Sequence, residues 1–307
     1  MEEQLPLPIA MTAILASLVL FIYILSEFQY KIGAGNFLPS TDNNAKREFE
    51  KYSLGYSVIW IAVFAVVIVF KLYEEFDENS YMALGVSLAA PLLLQPFFYP
   101  MPSERNLPYY LRYSFKANVW IAIFSFIGNY WYTHYFYSVL QARYSFKAHR
   151  LNDVPIALFF CTHFYFMTYH TFSNLLLRKI ETRYAAGLLR SAIFWSTVFA
   201  FSYFTAFMET LTISEFPYYH FPPELKRDIY IKGSAFYGIY FIVSFPLFYR
   251  VDEKVNAAEH RYPHTVFQTV LEAFGGSMIV LCLLDFCRLG LGIALKIGGK
   301  AFEITLN

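Results

Sequence analysis

Residues 199–214 read FAFSYFTAFMETLTIS, a stretch apolar and aromatic almost throughout that carries one acid, Glu209. On a helix its neighbours three and four positions away are Thr205, Ala206, Thr212 and Ile213, and no lysine or arginine lies within a turn. A carboxyl group without water or a cation favours its neutral form. A neutral, poorly solvated carboxyl is what a general acid requires. The structural alternative is a glutamate bonded to another helix, with His134 or His163 as partner.

Other polar residues stand in apolar surroundings, each with two readings. His163 and His170 lie seven apart in FFCTHFYFMTYHTFSN and share a helical stripe with Met167 and Asn174. Such a stripe faces a bundle interior, where it either binds a ligand or ties helices together. Helical zinc sites use His-x-x-x-His and a third ligand, so no metal site is expected. His134, in GNYWYTHYFYS, is either an active residue or part of an interfacial aromatic belt. Asp285 and Arg288, three apart in LLDFCRLG, form a structural ion pair on one helical face, or Asp285 takes an active part. Glu272 stands one turn into its apolar run, within reach of headgroups. Cys161, Cys282 and Cys287 fit no disulfide or zinc framework and read as small buried apolar residues.

These residues need elements to hold them, and composition names the kind. The 307 residues are 57% hydrophobic and only 15% charged, with 34 Phe and 26 Tyr. Soluble domains are nearer a quarter charged. The expected fold class is therefore all-α, a polytopic transmembrane helical bundle forming one integral membrane domain over residues 1–307. The net charge of +1 gives no global electrostatic hint, and with no basic domain and no finger or RNA-binding motif nothing suggests nucleic acid as a partner. A span needs roughly 20 apolar residues. Eight runs qualify: 8–25, 55–72, 81–100, 115–139, 154–177, 191–214, 233–249 and 267–291. The weakest are 81–100, interrupted by Pro91 and Pro96, and 233–249, which is short and contains Pro246. The N-terminus opens with two acids and reads as a retained span or anchor rather than a cleaved leader. Residues 29–53 read as a polar loop.

Alternating spans place Asn129, His134, His163, Glu209 and Asp285 in one half of the bilayer, and His170 and Asn174 in the other. Loop cations put the loops near Lys46, Arg105, Arg178 and Arg250 on the cytosolic side. Each charge near the middle of a membrane helix costs roughly 2.5–3.5 kcal/mol on insertion scales, so this polar set points to a functional interior. There is no Gly-rich nucleotide loop and no GxSxG elbow. No redox cofactor is implied. Proton transfer on a lipid-like substrate fits these residues, and so does binding or transport of one.

Four segments, KANVWIAIFSFIGNYWYTHYF, NDVPIALFFCTHFYFMTYHTFSNLLLR, SYFTAFMETLTISEFPYY and FYGIYFIVSFPLFYRVDEK, occur in this order. Together they resemble the cycloeucalenol cycloisomerase family of sterol synthesis. The resemblance covers residues 55–292, a helical core; residues 1–54, a divergent first span and polar loop, lie outside it. In ISEFPYYHF, Glu215 and His220 depart from the family pattern. The resemblance implies an isomerase of the endoplasmic reticulum membrane that needs no cofactor and opens the 9β,19-cyclopropane ring of a 4α-methyl sterol. Such a reaction needs an acid, for which Glu209 is the candidate, and a base, for which its carboxylate, His134 or His163 serve, with Asp285 a further catalytic candidate. The rings of Tyr130, Trp131, Tyr203 and Phe207 are candidates to face a developing cation. Asn129 or Asn174 would hold the sterol hydroxyl, with His170 beside the substrate. Two competing functions are a ring-B double-bond isomerase and a sterol-binding or transport protein without chemistry.

Overall fold

A computed structural model describes residues 7–131, 133–214, 216–222, 233–254, 263–292, 296–297 and 300–301. Eight long helices cover the apolar runs: α1 (Leu7–Glu27), α2 (Asn44–Val69), α3 (Glu78–Phe98), α4 (Tyr113–Tyr130), α6 (Ile156–Arg183), α7 (Leu188–Ser214), α8 (Ser234–Arg250) and α9 (Val266–Gly290). A short α5 (Thr133–Ser138) follows α4. Five of the helices, α1, α2, α3, α7 and α9, are long and apolar enough to cross a membrane. Pro91 and Pro96 lie inside α3 without ending it. Hydroxyls of Tyr56 and Tyr52 on α2 donate to the α3 carbonyls of Leu88 (2.6 Å) and Pro91 (3.0 Å). These bonds hold α3 against α2 beside its prolines.

Two sequence expectations are corrected. Residues 44–53, read as loop, are the first turns of α2. Lys46, Phe49, Glu50 and Ser53 recur at helical spacing and all turn inward, so the polar residues on this face pair inside the bundle. The run 115–139 is split at Trp131. There the Asn152 side chain donates 2.7 Å to the Tyr130 carbonyl, satisfying one of the last groups of α4. Asn152 and Asp153 both have positive φ, 53° and 61°, in the two-residue turn between β2 (Arg150–Leu151) and β3 (Val154–Pro155). This is the turn chemistry that such hairpins favour, and it delivers the chain into α6.

The longest helix, α6, runs through the middle and touches α2, α3, α4, α7 and α8. Packing is tight where α3 crosses it: a Cβ at Gly85 would come within 2.9 Å of the Ala157 carbonyl oxygen. Helices α7 and α8 lie side by side, α4 lies against α9, and α1 covers α7. The interior is aromatic, built on Trp120, Phe124, Phe164, Phe166, Phe241 and Phe245.

The two ends of the bundle differ in chemistry. One end gathers the starts of α2, α4 and α9 and the finishes of α6 and α8, and it is rich in buried charge. The opposite end is capped by aromatics. There β1 (Arg143–Tyr144) pairs antiparallel with β4 (Tyr219–His220), Arg143 opposite His220 and Tyr144 opposite Tyr219. Phe136 stacks on Tyr144 at 4.7 Å, and Tyr144 meets Tyr219 edge-on at 5.1 Å.

Candidate active site

Glu209 lies five residues from the end of α7 and turns toward α6 and α8, not toward lipid. Tyr237 on α8 donates its hydroxyl to Oε1 at 2.8 Å. The second oxygen, Oε2, is buried and has no hydrogen-bond partner among the described residues. Tyr169 on α6 is close enough to interact with the carboxyl without completing a hydrogen bond to Oε2. Tyr135, Tyr144, Tyr165 and Tyr219 also lie within its electrostatic reach, so phenols from α5, α6, α8 and the capping strands surround one acid. Tyr135 stacks on Tyr237, centroids 6.0 Å apart and planes at 8°, and is itself held by a 2.6 Å bond to the Gly233 carbonyl. Phe241 packs edge-on against both Tyr237 (5.3 Å) and Tyr169 (5.8 Å). The arrangement presents one unengaged carboxyl oxygen inside a wall of electron-rich rings. It suits proton transfer to an apolar substrate and shielding of a cation.

The other residues singled out in the sequence are distributed differently. His163 bonds through Nε2 to the Asn118 side chain at 2.9 Å, tying α6 to α4. His170 uses Nδ1 on the Phe166 carbonyl (2.7 Å) and Nε2 on the Ser244 hydroxyl (2.8 Å), tying α6 to α8. Both histidines are buried cross-links, and they flank the Tyr165 and Tyr169 level rather than meeting Glu209. Asn129 donates to the Ser125 carbonyl of its own helix at 2.9 Å. Asn174 donates to Glu50 at 2.9 Å and so belongs to the charged end. The Tyr203 hydroxyl turns to Met11 of α1, 3.6 Å from its sulfur. Phe207 is two residues from Glu209, a spacing that does not share a helical face. Tyr130 stacks on Phe126 and Trp131 lies edge-on to Tyr130, beside the break after α4. Asp285 pairs with Arg288 at 3.2 Å with its side chain 57% exposed, so it is placed on the outer surface and not beside the acid. His134 is on α5, but its side chain lies outside the described residues, as does Glu215. His220 bonds the Ser145 hydroxyl at 2.8 Å on the exposed cap. Among the described residues no three of His, Cys, Asp and Glu converge as metal ligands.

Comparison with known proteins adds one relative. A curated Arabidopsis thaliana protein named cycloeucalenol cycloisomerase is 39% identical over 267 residues, 84% of this chain and 92% of the relative. The chain belongs to the cycloeucalenol cycloisomerase family. Its enzyme class is accordingly that of an isomerase. No family model matches the chain, and no solved structure does.

Sequence reasoning missed most of what the structure of this family member assembles. Tyr169 and Tyr237 are ordinary tyrosines in a chain with 26 of them. Only their spacing, on one helical face with Tyr165 and beside Phe241, hinted at a shared lining. Also missed is a buried ionic network at the charged end. Arg178 makes paired bonds to Glu50 (2.8 and 2.9 Å) and to Glu253 (2.8 and 2.7 Å). Lys46 reaches Glu253 at 2.9 Å and the Tyr249 and Val251 carbonyls at 2.7 Å. Lys46 and Arg178, counted as loop cations in the sequence, are thus wholly internal. Lys116 pairs with Asp252, which also accepts the His264 backbone N–H at 2.7 Å. His264 in turn lies 3.2 Å from Glu272 through Nε2. Asp252, then Glu272, push the His264 imidazole up to about 9. Burial opposes ionisation of Asp252, but His264 and Lys116 outweigh it and hold this carboxyl below its ordinary value. A cavity of about 740 Å³ opens beside this network, between α7, α8 and α9.

Proposed function

We propose that the protein opens the 9β,19-cyclopropane ring of a 4α-methyl sterol, converting cycloeucalenol to obtusifoliol, with Glu209 as proton donor. The name of the relative supports the reaction, and the unengaged Oε2 of Glu209 among phenols is the observation that supports the residue. Tyr237 occupies Oε1, so Oε2 carries the proton and faces the substrate. Protonation of carbon 19 takes the electron pair of the C9–C19 bond. Carbon 19 becomes a methyl group and carbon 9 a tertiary cation. Loss of the proton on carbon 8 returns its C–H electron pair to the C8–C9 bond and gives the 8(9) alkene. Atoms balance, and the step consumes no oxidant or reductant.

The described groups within electrostatic reach of Glu209 are tyrosines, so its own carboxylate is the base at hand for the second proton. One carboxyl then serves both transfers. A desolvated cation gains roughly 2 kcal/mol from an aromatic face, and Tyr169, Tyr237 and Phe241 offer such faces. The aromatic cap of Phe136, Tyr144 and Tyr219 excludes water that would trap the cation. We further propose that all eight long helices cross the bilayer, in the endoplasmic reticulum. α6 has the length for this, and His163, Thr168, His170, Thr171, Ser173, Asn174 and Arg178 along it are buried.

Glu209→Gln tests the assignment. Turnover of cycloeucalenol falls about a thousand-fold, within the range for loss of a general acid. Sterol binding changes by less than about tenfold, ~1.4 kcal/mol. Near-normal turnover removes Glu209 from the mechanism.

A further inference from the structure

The 740 Å³ cavity is not lined by Glu209. Its nearest wall on α8, Ile242 and Val243, is five to six residues from Tyr237, roughly 8 Å along the helix. The walls are apolar, with Phe194, Trp195, Val243, Leu247 and Ile279. Trp195 and Ile279 are half exposed on the outer surface of α7 and α9, so the mouth opens toward lipid. Pro246 has no N–H, and the Ile242 carbonyl in the same wall therefore lacks its ordinary helical donor. The far end of the cavity is polar: Glu181, Asp252, Glu253 and His264. Most of these charges are already engaged. Glu253 is met by Lys46 and Arg178, Asp252 by Lys116 and His264, and Glu181 by the Tyr249 hydroxyl at 2.8 Å. Arg250 lies at the exposed rim. An anionic headgroup would thus meet carboxylates that already hold the inner cations, whereas a neutral hydroxyl can donate to their remaining lone pairs. The volume is in the range of small-molecule sites, roughly 300–1,000 Å³.

We propose that this cavity is a lateral docking site for a neutral, hydroxyl-bearing sterol entering from the bilayer, held by its hydroxyl against the acceptor-rich end and separate from the site of Glu209. The choice of a sterol over other neutral amphiphiles rests on the function proposed above. A docked sterol has its rings against Trp195, Val243 and Ile279 and reaches Glu209 only by moving along the α7–α8 seam.

The test is photolabelling of the full-length protein in nanodiscs with a 3-hydroxysterol carrying a diazirine in ring B, mapped by mass spectrometry. Label is expected on peptides containing Trp195, Val243 or Ile279. Excess cycloeucalenol removes it, and the corresponding 3-ketone, which cannot donate, competes at least about tenfold less well. Val243→Trp and Ile279→Trp, which fill the cavity, cut labelling and raise KM about tenfold with kcat within about twofold. Glu209→Gln labels like the parent protein. Labelling unchanged in both tryptophan variants, or competition by phosphatidic acid and not by sterol, overturns the docking site. The two assignments fail separately: normal turnover by Glu209→Gln strikes the proton donor, and normal labelling of filled variants strikes the cavity.

Discussion

Among the described residues, Tyr237 donates a 2.8 Å hydrogen bond to Glu209 Oε1, and it comes from a different helix. In the mechanism proposed above, that phenol stabilises the carboxylate left when Glu209 gives up its proton. A hydrogen bond to a charged group is worth about 1.5–3 kcal/mol, so Tyr237→Phe should lower kcat roughly ten- to a hundred-fold. Single-turnover measurement at saturating sterol checks this, and an unchanged rate would place the phenol outside the mechanism. Glu209 was legible in the sequence because a lone acid in an apolar run violates the cost of burying charge. Its surroundings were not legible. A tyrosine is unexceptional on any face of a membrane helix, and which six phenols converge depends on how α5, α6, α8 and the capping strands meet. The same holds for His163 and His170. Their stripe correctly indicated an inward face, but that face proved to be one of helix cross-links, with both partners, Asn118 and Ser244, supplied by other helices.

At the level of elements, α6 organises the charged end through Arg178, which joins α2 to the segment after α8. Replacing Arg178 with methionine leaves Glu50 and Glu253 buried with one cation, Lys46, beside Glu253. Removing one partner of a buried pair costs about 3–5 kcal/mol. Arg178→Met should therefore lower the thermal midpoint by several degrees or abolish folding, as read by size exclusion of the detergent-solubilised protein. A midpoint equal to the parent would show the network to be dispensable. The helices themselves were readable from apolar runs, prolines included, because length and hydrophobicity are local properties. The start of α2 was not. Lys46, Arg47 and Glu50 look like loop residues until Arg178 and Glu253 arrive from elsewhere to pair with two of them. The stop of α4 at Tyr130 likewise depends on Asn152, 22 residues away.

Across the whole molecule, an ionic end and an aromatic end divide the labour between holding the bundle together and sheltering the acid. The ionic end carries a titration signature. His264 is raised from 6.5 to about 9 by its bonds to Asp252 and Glu272. Its contribution to stability is full below pH 6.5 and is lost as pH rises through about 9. Asp252, held low, acts oppositely: its contribution is present above 3.8 and lost as pH falls through its lower folded value. Thermal midpoints should stay level in weak acid and decline from about pH 6.5 to 9, and His264→Gln should flatten that decline. A parent protein with no decline would contradict the His264 contacts. The central claim concerns chemistry rather than stability, and one incubation addresses it. Purified protein turning over cycloeucalenol in heavy water should place one deuterium in the carbon-19 methyl of the product, seen by deuterium NMR. A product without label at carbon 19, or label confined to carbon 7, would contradict ring opening by protonation.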